Sequence, residues 1–271
     1  MKGISIIIPS YNRREMLTNT LCGLLVQEHF DKEYEVIIVD NGSDDLFSTS
    51  GMDIDFCFPI KIIKRNLRSG NFRPGSARNI GALNARHEII VFLDSDCIPS
   101  STFLSAHWDI LSGGNSIATI GHREFISVSN IQLDSILNSP NYIYKVPRVI
   151  SDSNYKRETD RRLPELSLLK SHPAPFNCFH GCNLGMRKSD FFNAGGFDER
   201  FDLFWGYEDI ELGYRLSLSH VEFRYVPSAV VFHQEGEGLS FAERLSGRAR
   251  NFQLASNLMP GFESFRKELG R

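Results

Sequence analysis

The stretch IIVFLDSD, residues 89–96, decides the fold. Ile89–Leu93 is a run of five apolar residues, too short for a buried helix, and reads as a strand covered on both faces. Two carboxylates, Asp94 and Asp96, follow with only Ser95 between them. Like charges so close repel, so a cation stands between them or one points away. Upstream the same grammar repeats. Ile4–Pro9 and Tyr34–Asp40 are buried strands, Ile60–Lys64 is a shorter one, and helical patterns run from Asn12 to Gln27 and over Pro74–Arg86. Strands separated by helices pair in parallel through right-handed crossovers, and such sheets bind ligands beyond the carboxyl ends of their strands. Pro9-Ser10-Tyr11, Asp40-Asn41 and Asp94-Ser95-Asp96 are therefore expected at one edge.

Composition narrows the function. The 271 residues are 41% hydrophobic and 23% charged, ordinary for a soluble globular chain, and a net charge of −3 argues against nucleic acid as partner. Five cysteines without framework spacing read as reduced thiols, with Cys178 and Cys182 as packing residues. The apolar run before Pro9 is too short for a signal peptide, and no 18-residue apolar stretch follows. The expectation is a cytoplasmic protein without a transmembrane segment, at most peripheral at a membrane.

Three constellations carry chemistry. In extended backbone residues i and i+2 project to one side, so Asp94 and Asp96 could approach one divalent cation, with Mn²⁺ or Mg²⁺ suited to their oxygens. Both could instead be turn formers or helix caps. In FWGYEDIELGYRL, residues 204–216, Glu208-Asp209 opens a helical pattern with Ile210, Leu212, Leu216 and Leu218 on its apolar side. Acidic residues there suit the helix dipole. Trp205-Gly206 before them could make a sugar platform, and a carboxylate beside it could take a proton from a hydroxyl; Trp205 as core is the competing account. His233 ends the run Val230-Val231-Phe232 at an expected strand exit, and is a candidate metal ligand. Residues 121–175 lose the strand–helix rhythm. Their charged cluster Lys156-Arg157-Glu158 and Asp160-Arg161-Arg162 reads as a solvated helical excursion. Phe241, Leu245, Phe252 and Leu254 suggest one amphipathic C-terminal helix.

SIIIPSYNRREML, IIVDNGSDD, GSARNIGALNA, VFLDSD, GCNLGMRKSDFFNAGGFDERF and WGYEDIELGYRL occur in the order typical of family-2 glycosyltransferases, and the chain resembles that family over about Ile4–Leu111 and Phe176–His233. The C-terminal part is also similar to the segment shared by β-1,4-galactosyltransferases and polypeptide N-acetylgalactosaminyltransferases. The resemblance implies an α/β fold of GT-A type, Rossmann-like, with a mostly parallel central sheet flanked by helices. It implies one domain over 1–271: a nucleotide-binding half at 1–111, an acceptor and catalytic half at 112–240 that includes the acceptor-side insertion 121–175, and the C-terminal helix at 241–271. It implies a UDP-linked sugar donor and a sugar, lipid-linked or peptide acceptor. Pro9, Tyr11, Asp40, Asn41, Arg78, Asp94 and Ser95 would bind the nucleotide sugar; Asp96 and His233 would hold Mn²⁺ or Mg²⁺; Trp205, Gly206 and Glu208 would meet the acceptor. Asp209 corresponds to the general base of inverting members. Asn41 stands where many uridine-binding members have aspartate, which weakens the case for UDP. A retaining enzyme and a non-catalytic nucleotide-sugar-binding module remain as alternatives. A nucleotidyltransferase would carry a Gly-rich loop where this chain has PSYNRRE, and a glycosidase needs carboxylates that straddle a bond, unlike adjacent Glu208 and Asp209.

Overall fold

A computed structural model describes residues 3–50, 53–67, 73–148, 160, 162–235 and 241–268, with the side chains of 241–246 and 268 outside the description. The first strand, β1 (Gly3–Ser10), leads into α1 (Arg14–Leu25), β2 (Glu33–Asp40), β3 (Ile60–Lys64), α2 (Pro74–Asn84) and β4 (Ile89–Leu93). These four strands lie in the order β3-β2-β1-β4, all parallel. Ile4, Ile6, Ile7, Ile8 and Ile89–Leu93 are wholly buried, as continuous apolar runs covered on both faces require. The expected strands and helices of the first hundred residues are present, with ends shifted by a few residues.

Beyond β4 the sheet turns mixed. The chain adds β5 (Cys97–Pro99), α3 (Phe103–Leu111), β6 (Ile117–Ser127), α4 (Leu133–Asn138), α5 (Leu163–Leu166), β7 (Asn183–Arg187), α6 (Lys188–Asn193), α7 (Glu208–Leu218), β8 (Glu222–Glu235), α8 (Phe241–Leu258) and α9 (Phe262–Glu268). The eight-stranded order is β3-β2-β1-β4-β7-β6-β8-β5. Strand β7 runs antiparallel between β4 and β6, β8 runs parallel to β6, and β5 closes the edge antiparallel to β8. The C-terminal segment forms two helices rather than one. Phe252 and Leu254 pack at the cluster of Phe201, Tyr207, Ile210, Ala255, Met259 and Phe262, whereas the side chains of Phe241 and Leu245 lie outside the description. Leu218, expected on the apolar side of α7, is largely exposed.

The 121–175 region departs from a solvated excursion in two ways. Its first residues are strand, because β6 continues to Ser127 against β8. Its charged cluster is partly interior: Asp160 and Arg162 are each 1% exposed, while Lys156, Arg157, Glu158 and Arg161 lie outside the described residues. Arg162 donates to Asp160 through Nε and Nη2 at 2.9 and 2.6 Å, and to the Cys178 carbonyl through Nη1 at 3.0 Å. Arg123 of β6 stands 3.6 Å from the same carboxylate. Burial opposes ionisation of Asp160, but the two guanidinium groups outweigh it and hold the carboxyl far below the usual range. The cations thus fasten the excursion to the sheet. Substituting Asp160→Asn leaves two buried guanidinium groups without their anion and should lower unfolding stability by about 3–5 kcal/mol, read from urea denaturation; a loss under 1 kcal/mol would show the pair to be dispensable.

Candidate active site

The two aspartates after β4 take different protein partners. Residues 94–97 form a tight turn, with the Cys97 amide donating to the Asp94 carbonyl at 3.1 Å, so the i and i+2 side chains diverge instead of running alongside each other. Asp94 turns to Arg78 of α2, whose Nη2 donates to Oδ1 at 2.6 Å. Asp96 turns to β8, where its Oδ1 faces His233 Nε2 at 3.6 Å. Ser95 between them is buried, and its carbonyl accepts from Thr20 Oγ1 of α1 at 3.0 Å. The repulsion is thereby divided: each carboxylate has its own cation.

His233 is not at a strand exit. It lies inside β8, paired in register with Cys97 of β5 and Phe125 of β6, because the polar residues Gln234 and Glu235 continue the ladder. The antiparallel β5–β8 pairing is what carries Asp96 to His233 across the chain, and the Gln234 amide donates to the Asp96 carbonyl at 2.8 Å. His233 Nδ1 stands 3.1 Å from Glu235 Oε1. Burial works against charging the ring, but the carboxylates of Asp96 and Glu235 prevail and push it up to about 9. Ligand atoms of Asp96, Cys97 and His233 lie within 4.8 Å of one another. An oxygen and an imidazole nitrogen suit Mn²⁺. Burial holds the Cys97 thiol well above its usual range, so Asp96 and His233 are the pair fit to hold a divalent cation.

The second carboxylate pair opens α7. Its N-terminal cap, Tyr207, has φ 75°, and Gly206 before it has φ 93°. This left-handed double step, natural for glycine alone, turns Glu208 and Asp209 back toward the sheet. Asp209 accepts from the Gly181 amide at 3.0 Å through Oδ2 and from the Ile210 amide at 2.8 Å through Oδ1. Burial raises its pKa despite these bonds. Glu208 is raised to about 8, by burial first and by Asp209 second, against the pull of Arg78. Arg78 Nη1 reaches Glu208 Oε1 at 3.3 Å. One guanidinium therefore bridges Asp94 and Glu208, and Phe197 packs beneath it at 5.3 Å. Trp205 is exposed rather than core.

At the other end of the edge, Pro9 is half-buried in β1 and Tyr11 is exposed. Asp40 is buried and spends its carboxylate on its own turn, accepting from the Gly42 and Ser43 amides and the Ser43 hydroxyl at 2.9, 2.7 and 2.6 Å. Asn41 Oδ1 accepts from Arg65 at 2.8 Å, and its amide donates to the Arg73 carbonyl at 3.2 Å. Three contributors lacked a local signal. Gly181 has no room for a side chain, since a Cβ would sit 2.6 Å from Arg78 Nη2. Asp202 caps α2 by accepting from the Gly75 and Ser76 amides at 3.1 and 3.4 Å. Asn251 of α8 donates to the carbonyls of Phe201, Phe204 and Gly206 at 3.0, 3.1 and 3.0 Å.

This arrangement coincides with a family signature. The model of Glycosyl transferase family 2 matches residues 5–191. The chain belongs to that family. A second model, the N-terminal domain of galactosyltransferase, matches residues 168–235 and takes in Gly181, Glu208 and Asp209. Chondroitin synthase of Escherichia coli is 30% identical over 270 residues, covering 96% of this chain and 39% of that protein; the chain thus spans about two-fifths of that relative's length. GalNAc-T7 with UDP, GalNAc and Mn²⁺ superposes with a TM-score of 0.65 at 17% identity, over 94% of this chain and 48% of the other. S. aureus TarS 1–349 in complex with UDP-GlcNAc gives 0.59 at 19% identity, over 88% and 60%. The GT-A architecture expected from the sequence is the one found. Among the described residues no helix is long and apolar enough to cross a membrane.

A divalent cation at Asp96 and His233 must displace the proton that the imidazole holds up to about pH 9. Manganese affinity should therefore rise about tenfold per pH unit from pH 7 toward 9, measured by calorimetry. A flat profile would remove His233 from the ligand set.

Proposed function

We propose that this chain transfers a sugar from a UDP-linked donor to an acceptor hydroxyl with inversion, Asp209 serving as general base. The observation that carries this reading is the single edge on which Arg78 joins Asp94, next to the Asp96–His233 pair, to the Glu208–Asp209 pair. Tyr11, Pro9 and the Asp40–Asn41 turn border the nucleotide end. Solved structures of this fold hold UDP, UDP-GlcNAc and GDP-Man, and Asn41 Oδ1 has a second lone pair beside Arg65 for a base N–H such as that of uracil. Asp96 and His233 would hold Mn²⁺ or Mg²⁺, which supplies charge compensation for the departing diphosphate when bound.

The chain's own residues do the rest. Arg78 is buried and gripped by two carboxylates, so it orients Asp94 and Glu208 and lends positive charge instead of travelling to the diphosphate. Glu208 keeps a proton to about pH 8 and can donate to an acceptor oxygen. Asp209 is fixed by two backbone amides, and a raised pKa makes it a stronger base than a solvated carboxylate. It takes the hydroxyl proton as that oxygen attacks the anomeric carbon opposite the leaving diphosphate. An α-linked donor then yields a β-linked product. Trp205 offers its exposed ring to the acceptor.

Nucleoside diphosphate release, followed with a panel of nucleotide sugars and Mn²⁺, tests the reading; no metal-dependent release with any donor and acceptor would overturn it. Asp209→Asn should lower turnover about 10²- to 10⁴-fold while donor affinity persists, and turnover within a few-fold of wild type would refute the base assignment. Anomeric NMR of the product separates inversion from retention.

A further inference from the structure

Beside the Trp205 ring the surface carries groups to which the transfer step assigns no role. Phe204 and Trp205 are 37% and 38% exposed, side by side, five and four residues before Asp209. Helix α8 lays two arginines over them. The Arg248 guanidinium lies 5.6 Å from the Trp205 ring centre and 5.7 Å from that of Tyr207, and its Nε donates to the Tyr207 hydroxyl at 3.1 Å. Arg250 lies 4.4 Å over Phe204, its Nη1 donating to the Arg200 carbonyl and Asn251 Oδ1, each at 3.2 Å.

Charge pairing sets these two apart. Arg200 nearby is matched by Asp198 at 2.5 Å and Arg215 by Glu211 at 2.6 Å. Among the described residues no carboxylate pairs with Arg248 or Arg250. Cation–π contact keeps the two guanidinium groups over the rings, while N–H groups that bond neither Tyr207 nor the Arg200 carbonyl and Asn251 stay available to an anion. Past Arg250 runs an open groove of about 520 Å³, lined by Arg200, Arg250, Gln253, Leu254 and Asn257. Its wall is mainly apolar, with the amides of Gln253 and Asn257 beside it, so the ring faces of a sugar chain would meet the apolar surface and its hydroxyls the amides. The surface is also rigidly placed. Asn251 ties α8 to three carbonyls of the 201–206 segment, and at Gly247 a Cβ would come within 3.1 Å of the Trp205 amide.

We infer that Phe204, Trp205, Arg248 and Arg250, with the groove along α8, form an acceptor subsite selective for an anionic saccharide chain. The aromatic faces carry the sugar rings and the two arginines meet the acidic group of the residue next to the one that reacts. This deepens the proposed function, on which it rests, by naming the acceptor class. Uronate carboxylates and phosphodiesters share the required chemistry.

Equilibrium binding, by calorimetry on the 271-residue chain, decides it without relying on turnover. The probes are a hexuronate-containing oligosaccharide, its carboxyl-reduced counterpart of equal length, and a phosphodiester-linked glycosyl oligomer. The better anionic chain should bind about tenfold tighter than the reduced one, and its identity tells which acid the site takes. The preference should shrink with added salt and vanish in the Arg248→Gln/Arg250→Gln double variant. Arg250→Lys should retain more of it than Arg250→Gln, which separates lost charge from lost folding. Equal affinity for charged and reduced chains, or a preference that survives the double variant, overturns the inference. Nucleoside diphosphate release measured in parallel reports on the transfer reading alone: release without charge preference sinks only the subsite, and charge preference without release sinks only the transfer.

Discussion

A buried guanidinium is tolerated only where an anion and further acceptors meet it, and Arg78 imposes that constraint on the whole site. It is 3% exposed, so both of its carboxyl partners, the anion of Asp94 and the acceptor oxygen of Glu208, must be delivered with their backbones in place. That fixes the exit of β4 against the start of α7, elements more than a hundred residues apart in sequence. Gly181 is drawn in because only a residue without a side chain can pass the guanidinium so closely, and its amide then holds Asp209. Phe197 closes the underside. The exit of β4 and the carboxyl pair that opens α7 are thus one electrostatic unit with the Arg78 guanidinium at its centre.

A similar economy governs α2. The N-terminus of a helix is a ready anion site, and one sits at the sheet edge where a diphosphate would be expected. Asp202 already occupies it. The same carboxylate ties the 198–206 segment, which carries Trp205, to the donor half. A phosphate bound at this edge would then depend on the Asp96–His233 pair and the loop amides rather than on α2. Behind them, Arg123, Asp160 and Arg162 repeat the principle of buried cations satisfied by a buried anion, and there it secures the excursion after β6.

The parallel half was legible in the sequence because its signal is local: runs such as Ile4–Pro9 and Ile89–Leu93 have no other stable environment. Strand β7 was not, since Asn183-Leu184-Gly185-Met186-Arg187 carries no apolar run. It is strand because β4 and β6 offer it ladders, and because Asn183 joins His107 at 2.9 Å in a buried polar network. His233 reads as a strand exit for the converse reason: Gln234 and Glu235 look like loop, but β6 pairs with both and holds them in the ladder. The turn at 94–97 defeated the i, i+2 argument, which holds only for extended backbone. The roles of Asp96, Glu208 and Asp209 came from family resemblance. Asp202, Gly181 and Asn251 work through backbone groups, and no residue pattern announces such a task.

The position of β8 has a consequence for how the chain is made. This strand is inserted between β6 and β5, so the short edge strand at residues 97–99 has no ladder until residues 231–233 leave the ribosome. During that interval the open flank of the growing sheet is a template for foreign strands. Pairings across such separations also slow folding, because the loop must close before any contact rewards it. Asp96 and His233 straddle that gap, with one member supplied early and the other late. Their meeting therefore reports that β5 and β8 have paired, and any ligand held by both rewards only a chain whose sheet is already threaded.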